Sequence, residues 1–261
     1  MRRQTRRVGR RARIIAAAQA GGMSHARNTV FGWTLALVLA ALFASLGAWQ
    51  LRRGVEKQAM LDTAAQITGS RIARPLALAA DPARTRGYDW AEGTGSFDPR
   101  GPLWLDNQQR AGRVGVRAYR IFNPETGAPL LVDLGWLPLA GDRVMPAVER
   151  PPGRLQLRGL LAPPPSTGIA LGSGLARSGD GWLLTRIDLD AITAATGLPQ
   201  PLAPRVLRLD PALPLGYDRD LVLLANTLPP AKHRGYALQW FGLALTVLVT
   251  ALILTFRRPR R

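Results

Sequence analysis

Cysteine is absent from the 261-residue chain. This excludes disulfides, thiolate metal sites, a thioredoxin-like redox pair and a copper carrier built on paired thiolates. A domain on the oxidising side of a membrane would then depend on its packed core alone. Histidine is nearly absent too, with His25 and His233 the two examples. Lysine is scarce: 33 of the 35 basic residues are arginine, which together with abundant Ala, Gly and Pro favours a bacterial, GC-rich source. Acidic residues are missing from residues 1–51, which carry eight arginines, and from 257–261, which carry four.

These gaps localise the net charge of +18. Residues 52–235 hold 23 basic and 17 acidic side chains, a balance of only +6, so no single basic face is expected and nucleic acid is not an expected partner. The arginines flank two uncharged stretches instead, Thr29–Leu51 and Tyr236–Phe256. Each is long enough to span a bilayer, which needs about 20 apolar residues. A cleavable signal peptide, suggested by Ser45 and Gly47, is disfavoured because signal cores run about 7–15 residues.

The positive-inside rule places both Arg-rich tails in the cytoplasm and the long middle segment outside. The expected organisation is a basic, disordered cytoplasmic tail (1–28), transmembrane helix 1 (29–51), an extracytoplasmic, periplasmic domain (52–235), transmembrane helix 2 (236–256) and a basic cytoplasmic tail (257–261). Such a two-pass protein belongs in a bacterial inner membrane, with membrane lipid around it. The Arg-rich, acid-free start also resembles a transit peptide, which keeps a mitochondrial inner membrane as the alternative, and Met23 offers an alternative start.

Past the first span, Val55, Met60, Leu61, Ala64 and Ile67 continue a helical spacing, with Gly69 as the expected stop. Then the texture turns to β. Residues 116–122 and 129–136 read as strands about the turn Asn123–Gly127, and residues 154–159 alternate as a half-buried strand. Residues 162–168 read as a loop, 188–197 as a short helix capped by Asp188 and closed by Gly197, and 205–210 and 221–227 as further strands. The expected fold is α+β, a β-rich extracytoplasmic domain inserted between the two helices of a transmembrane hairpin.

In an antiparallel hairpin, Trp49 and Gln50 share a depth with Gln239 and Trp240. Small residues four apart let membrane helices approach, and Ala40, Ala44 and Ala48 on one span and Gly242, Thr246 and Thr250 on the other form such stripes. Stripes of this kind are also common in any Ala-rich span. His233, Tyr236 and Trp240, at i, i+3 and i+7, share one face. Tyr236 and Trp240 taken alone fit an aromatic belt at headgroup level better than a ligand site.

His233 points further, because neutral imidazole is a common iron ligand and no cysteine or second outer histidine competes. Met60 and Met145 have no evident partner. A single imidazole at the edge of lipid suits an iron macrocycle that is held and then surrendered. Arg52, Arg53 and Arg234 could neutralise its carboxylates, although snorkelling to the interface is the simpler role for each.

The run His233-Arg-Gly-Tyr236-Ala-Leu-Gln-Trp240-Phe-Gly242 resembles the second-helix motif of the Surfeit locus protein 1 family, assembly factors for haem–copper cytochrome c oxidase. Leu46–Arg53 is similar to the Gly-x-Trp-Gln-x-x-Arg motif at the end of that family's first helix, Gly135–Pro138 to its central Arg-Gly-Trp-Val-Pro element, and Pro151–Gly159 to the strand that follows. The resemblance covers about residues 30–245 in the family's order. Two positions depart from it. Leu134 stands where the family usually has Arg, and Ala231-Lys232 replaces the Asn-containing lead-in to the histidine, with Asn226 too far upstream to substitute.

The resemblance implies a membrane-bound biogenesis factor, not an enzyme. It would assist insertion of haem a into the catalytic subunit of a respiratory oxidase, with haem a synthase as a further partner. The implied cofactor is transient haem a, with His233 its iron ligand and Tyr236, Trp240, Trp49, Gln50 and Arg52 the remaining binding candidates. Two alternatives stay open: an extracytoplasmic ligand-binding or tethering protein without haem, and, with thinner support, a periplasmic hydrolase using Asp188 and Asp190.

Overall fold

The computed structural model describes residues 2–165, 174–223 and 228–257, with side chains from residue 27 onward. The tail expected to be disordered falls on residues whose side chains are outside this description. The chain divides into two compact units, Met1–Gln58 with Leu228–Arg261, and Ala59–Thr227.

Helix α1 (Arg2–Ser70) continues beyond the apolar stretch, as its spacing predicts. It stops one residue later than Gly69 suggests. Arg71 adopts the left-handed conformation (φ 48°), and its N–H donates to the Ile67 carbonyl at 2.9 Å. The arginine accepts this cap position because its guanidinium stacks 4.9 Å over Trp90 and reaches Asp210 at 3.6 Å.

After α1 come strands β1 (Arg74–Pro75), β2 (Asp89–Phe97), β3 (Leu103–Arg110), β4 (Arg113–Pro124), β5 (Leu130–Pro138), β6 (Leu155–Ala162), β7 (Leu175–Ser178) and β8 (Gly181–Leu184). Helix α2 (Leu189–Thr196) and strand β9 (Val206–Leu209) complete the second unit. All nine strands form one mixed sheet in the order β1-β2-β6-β9-β5-β4-β3-β8-β7. β2 pairs with β4 as well, from Gly95 opposite Pro124 to Phe97 opposite Phe122, so β2, β6, β9, β5 and β4 close into a ring. Closure brings the Gly95 backbone so near its neighbour that an added Cβ would lie 2.2 Å from the Asn123 carbonyl oxygen.

The two-residue period of the strands then sorts the side chains. Val116, Ala118 and Phe122 of β4 join Leu130, Val132 and Leu134 of β5 and Leu157 of β6 in one core. Tyr119, Ile121 and Leu131 point the opposite way and pack with Ile187 and Ile192. Each fully buried leucine or isoleucine contributes roughly 1.5–3 kcal/mol. A sheet with helices is what the α+β expectation requires.

The expected hairpin is β4–β5, the half-buried strand is β6, and residues 205–210 contain β9. Asp188 caps α2 by accepting from the Ala191 N–H at 3.0 Å, and Gly197 closes it at φ 63°. Residues 163–165 are irregular as expected, and the rest of that loop is outside the described residues.

Residues 221–223 are not a strand, and 224–227 lie outside the described residues. Leu221 and Leu223 pack instead against Trp90, Leu160 and Ala162. The Arg208 guanidinium takes the Asp220 and Val222 carbonyls at 3.2 and 3.1 Å, satisfying backbone that a neighbouring strand would otherwise pair.

Charge is buried with the core. Arg205 is fully enclosed and donates to Asp89 Oδ2 at 2.6 Å and to the Leu78 carbonyl, while Arg84 reaches Asp89 Oδ1 at 2.6 Å.

The first unit contains the apolar part of α1 and helix α3 (Pro230–Phe256), which starts with proline in its first turn where no N–H is needed. Both helices are long and apolar enough to cross a membrane. They run antiparallel. Trp33 Nε1 donates to Thr255 Oγ1 at 2.9 Å, the Phe43 and Trp240 rings lie 5.6 Å apart, and Gln50 meets His233.

The covered positions on α1 include the series Trp33, Ala36, Ala40, Phe43, Gly47, Gln50, Gly54 and Lys57, with Leu39, Ala44 and Leu46 partly covered beside it; those on α3 include Pro230, His233, Ala237, Trp240, Ala244, Val247 and Ala251, with Leu248 partly covered beside them. Both series step by three and four residues, the period of a left-handed coiled-coil seam. Of the stripes expected four apart, Ala40 is buried and Ala44 partly covered, whereas Ala48 and all of Gly242, Thr246 and Thr250 are exposed, which corrects the stripe on α3. A strict four-residue step drifts around the helix, whereas alternating three and four stays on the partner.

Candidate functional site

One end of the seam is built by two glycines and two polar side chains, spaced Gly47, Gln50, Gly54 and Lys57 along one face of α1. A Cβ at Gly47 would lie 2.9 Å from the Phe241 ring, and one at Gly54 would lie 3.3 Å from His233 Cβ. Each glycine therefore allows an approach that a side chain would obstruct. Lys57, itself buried, donates from Nζ to the Leu228 carbonyl at 2.7 Å and so ties down the segment leading into α3.

Between these contacts sits His233, only 6% exposed. Its Nδ1 lies 2.7 Å from Gln50 Oε1. An amide oxygen only accepts, so this contact is a hydrogen bond in the tautomer that carries the ring proton on Nδ1. In that tautomer of the neutral ring Nε2 is unprotonated, and among the described residues it is buried without a hydrogen-bond partner. A buried, unpaired polar atom costs about 1–3 kcal/mol and calls for an explanation. A lone pair on Nε2, with the other nitrogen held by an outer hydrogen bond, is the arrangement by which imidazole binds a metal.

Of the six residues singled out in the sequence, three lie on the seam, His233, Gln50 and Trp240, and two of these, His233 and Gln50, are in contact. Trp240 is partly covered and lies beside Phe43. Tyr236 is 40% exposed and Trp49 51% exposed, and Arg52 is exposed as well. The three-residue step from His233 to Tyr236 turns the phenol away from α1, while the four-residue step to Ala237 stays on it. Among the described residues no group of three or more His, Asp or Glu side chains could hold a metal.

Gly54 and Lys57 were not anticipated from the sequence, and Gly47 was seen as a motif residue without its role in close approach. Their signal was present in the 3,4,3 spacing about Gln50 and in Lys57 being one of two lysines in the chain.

The central motif of the globular unit is used for packing. Gly135 sits at φ 120°, and a Cβ there would meet the Tyr217 and Asp218 carbonyl oxygens at 2.8 and 2.9 Å. Trp136 donates from its backbone to Asp218 O at 2.7 Å and from Nε1 to Gln108 O at 3.1 Å. Leu134, the position that departs from the family pattern, is 1% exposed inside the apolar core, where an arginine would need partners that this core lacks. Asn226 is outside the described residues.

The family model described as SURF1 family matches residues 37–245, from within the apolar part of α1, through the whole sheet, to the middle of α3. The chain belongs to the SURF1 family. No curated protein sequence matches it. SURF1 proteins are assembly factors associated with cytochrome oxidase, so a respiratory oxidase is the general partner, and the matched span contains the Gln50–His233 pair.

Proposed function

We propose that this SURF1 protein is a two-pass membrane factor that holds haem a transiently through His233 and assists its insertion into the catalytic subunit of a haem–copper oxidase. The observation that carries the reading is the buried, unpartnered Nε2 of His233, with Nδ1 engaged by Gln50. Haem a is cargo in this scheme. The donor chemistry fits its iron, since the free lone pair is on the nitrogen and not on a protonated donor. The packing closes over that nitrogen, so admission of a macrocycle requires the α1–α3 seam to part locally at Gly54 and His233.

One neutral ligand supports capture with later release, because a second axial ligand would retain the iron more firmly. Trp240 supplies a flat apolar surface on the same seam, and Arg52, Trp49 and Tyr236 contact the cargo only if the seam rearranges. The globular unit is periplasmic in this reading, with both Arg-rich termini cytoplasmic and haem a synthase the donor of the cargo. The hydrolase alternative loses support because the Asp188 carboxylate is committed to capping α2.

The test uses a strain lacking this chain, complemented with the wild type or His233→Ala. The oxidase is then purified and its haem a measured by reduced-minus-oxidised spectra. Haem a per catalytic subunit should fall to the level of the uncomplemented strain in His233→Ala. Full haem occupancy with that variant would remove the histidine from the function.

A further inference from the structure

We infer that Gln50 is a positioning residue that fixes His233 as its Nδ1–H tautomer and thereby keeps the Nε2 lone pair available to a ligand. The argument begins with the helix spacing. Gln50 lies one step of three beyond Gly47 and one of four before Gly54, so it is the single polar side chain presented to α3 between two points of close approach. That approach leaves the imidazole, 6% exposed, little freedom to rotate.

The amide oxygen at 2.7 Å accepts one hydrogen bond from Nδ1. With the single proton of the neutral ring on Nδ1, the second nitrogen has a lone pair and no partner. Histidine free in water favours the opposite tautomer, with the proton on Nε2, which blocks that nitrogen as a ligand. Gln50 reverses this preference. It acts through His233 and does not itself have to touch a cargo.

The tautomer assignment stands on the hydrogen bond alone; its purpose, presenting Nε2 to iron, rests on the proposed haem reading. The chain has two histidines, so ring-15N-histidine labelling with His25→Ala leaves a single imidazole to observe. The full chain is reconstituted in lipid nanodiscs and measured at pH about 8, where an ordinary imidazole is neutral.

Wild type should show a protonated, pyrrole-type Nδ1 and an unprotonated, pyridine-type Nε2. Gln50→Leu should move the proton toward Nε2, and Gln50→Glu, which keeps an acceptor oxygen, should retain it on Nδ1. A pyrrole-type Nε2 in wild type would overturn the proposal, as would a Gln50→Leu spectrum identical to wild type. The wild-type spectrum decides without any variant having to fold.

Haem titrated into the same samples gives the second readout. Loss of an outer-sphere partner commonly costs 10–100-fold in metal affinity, and Gln50→Leu should weaken binding by about that factor. Haem binding that fails in all samples while the 15N pattern holds would refute the cargo reading and leave Gln50's tautomer role intact.

Discussion

The α1–α3 seam predicts a cross-link that the chain is suited to report, because it has no cysteine of its own. Gly54→Cys with His233→Cys places two thiols across the seam. The Cβ built at Gly54 lies 3.3 Å from His233 Cβ, a few tenths of an ångström inside the 3.5–4.5 Å found in disulfides. The helices therefore need to move apart only slightly, and removal of the imidazole provides room. Mild oxidation of the double variant in native membranes should give a species that migrates differently with and without reductant.

Ala48→Cys with Gly242→Cys tests the alternative packing, in which small residues four apart form the interface. Both positions are exposed, and this pair should remain reduced under the same oxidation. Cross-linking of the second pair but not the first would refute the seam, and with it the placement of Gln50 on His233.

The globular unit carries two further predictions. Arg205→Met strands Asp89, 7% exposed, with Arg84 as its remaining cation, and should destabilise the unit by about 3 kcal/mol at pH 7 in denaturant titration. Burial pushes the Asp89 carboxyl up, but hydrogen bonds from Arg205 and Arg84 outweigh it and hold the group below its ordinary range. The stability that this carboxylate contributes is thus present above its ordinary pKa and lost as pH falls through the lowered folded value. The deficit of Arg205→Met should shrink as pH is lowered below the ordinary carboxylate range; a deficit independent of pH would contradict the ion-pair account. Gly135→Ala should cost about 2–3 kcal/mol, since it combines a positive φ with a Cβ 2.8 Å from Tyr217 O, whereas Gly141→Ala, with open space around it, should be neutral in the same thermal melt.

What the sequence showed depended on how local each signal was. The hairpin around Asn123–Gly127 and the cap at Asp188 were legible because a few adjacent residues determine them. Closure of the sheet through β2 and β4 was not, since Gly95 meets Asn123 only after the chain between them has folded. Arg71 as the end of α1 escaped notice because its partners, Trp90 and Asp210, come from distant segments.

The candidate site divides in the same way. His233 stood out by rarity and by its place before an apolar run. The choice of Ala237 over Tyr236 as its companion on the seam depends on a 3,4 step that two short motifs do not define. Gln50 was visible as a motif residue, but its hydrogen bond to Nδ1 required both helices to be placed.

The central claim, a single imidazole offered to haem iron from the seam of two membrane helices, is tested most directly by equilibrium haem binding to the purified full chain in nanodiscs. Absorbance of the Soret band would be followed for wild type and His233→Ala, with Leu238→Val, at a position 75% exposed, as a control on the outward face. Wild type and Leu238→Val should bind one haem with a histidine-ligated spectrum, and His233→Ala should lose that spectrum and bind at least about 10-fold more weakly. Indistinguishable spectra and affinities for wild type and His233→Ala would contradict it.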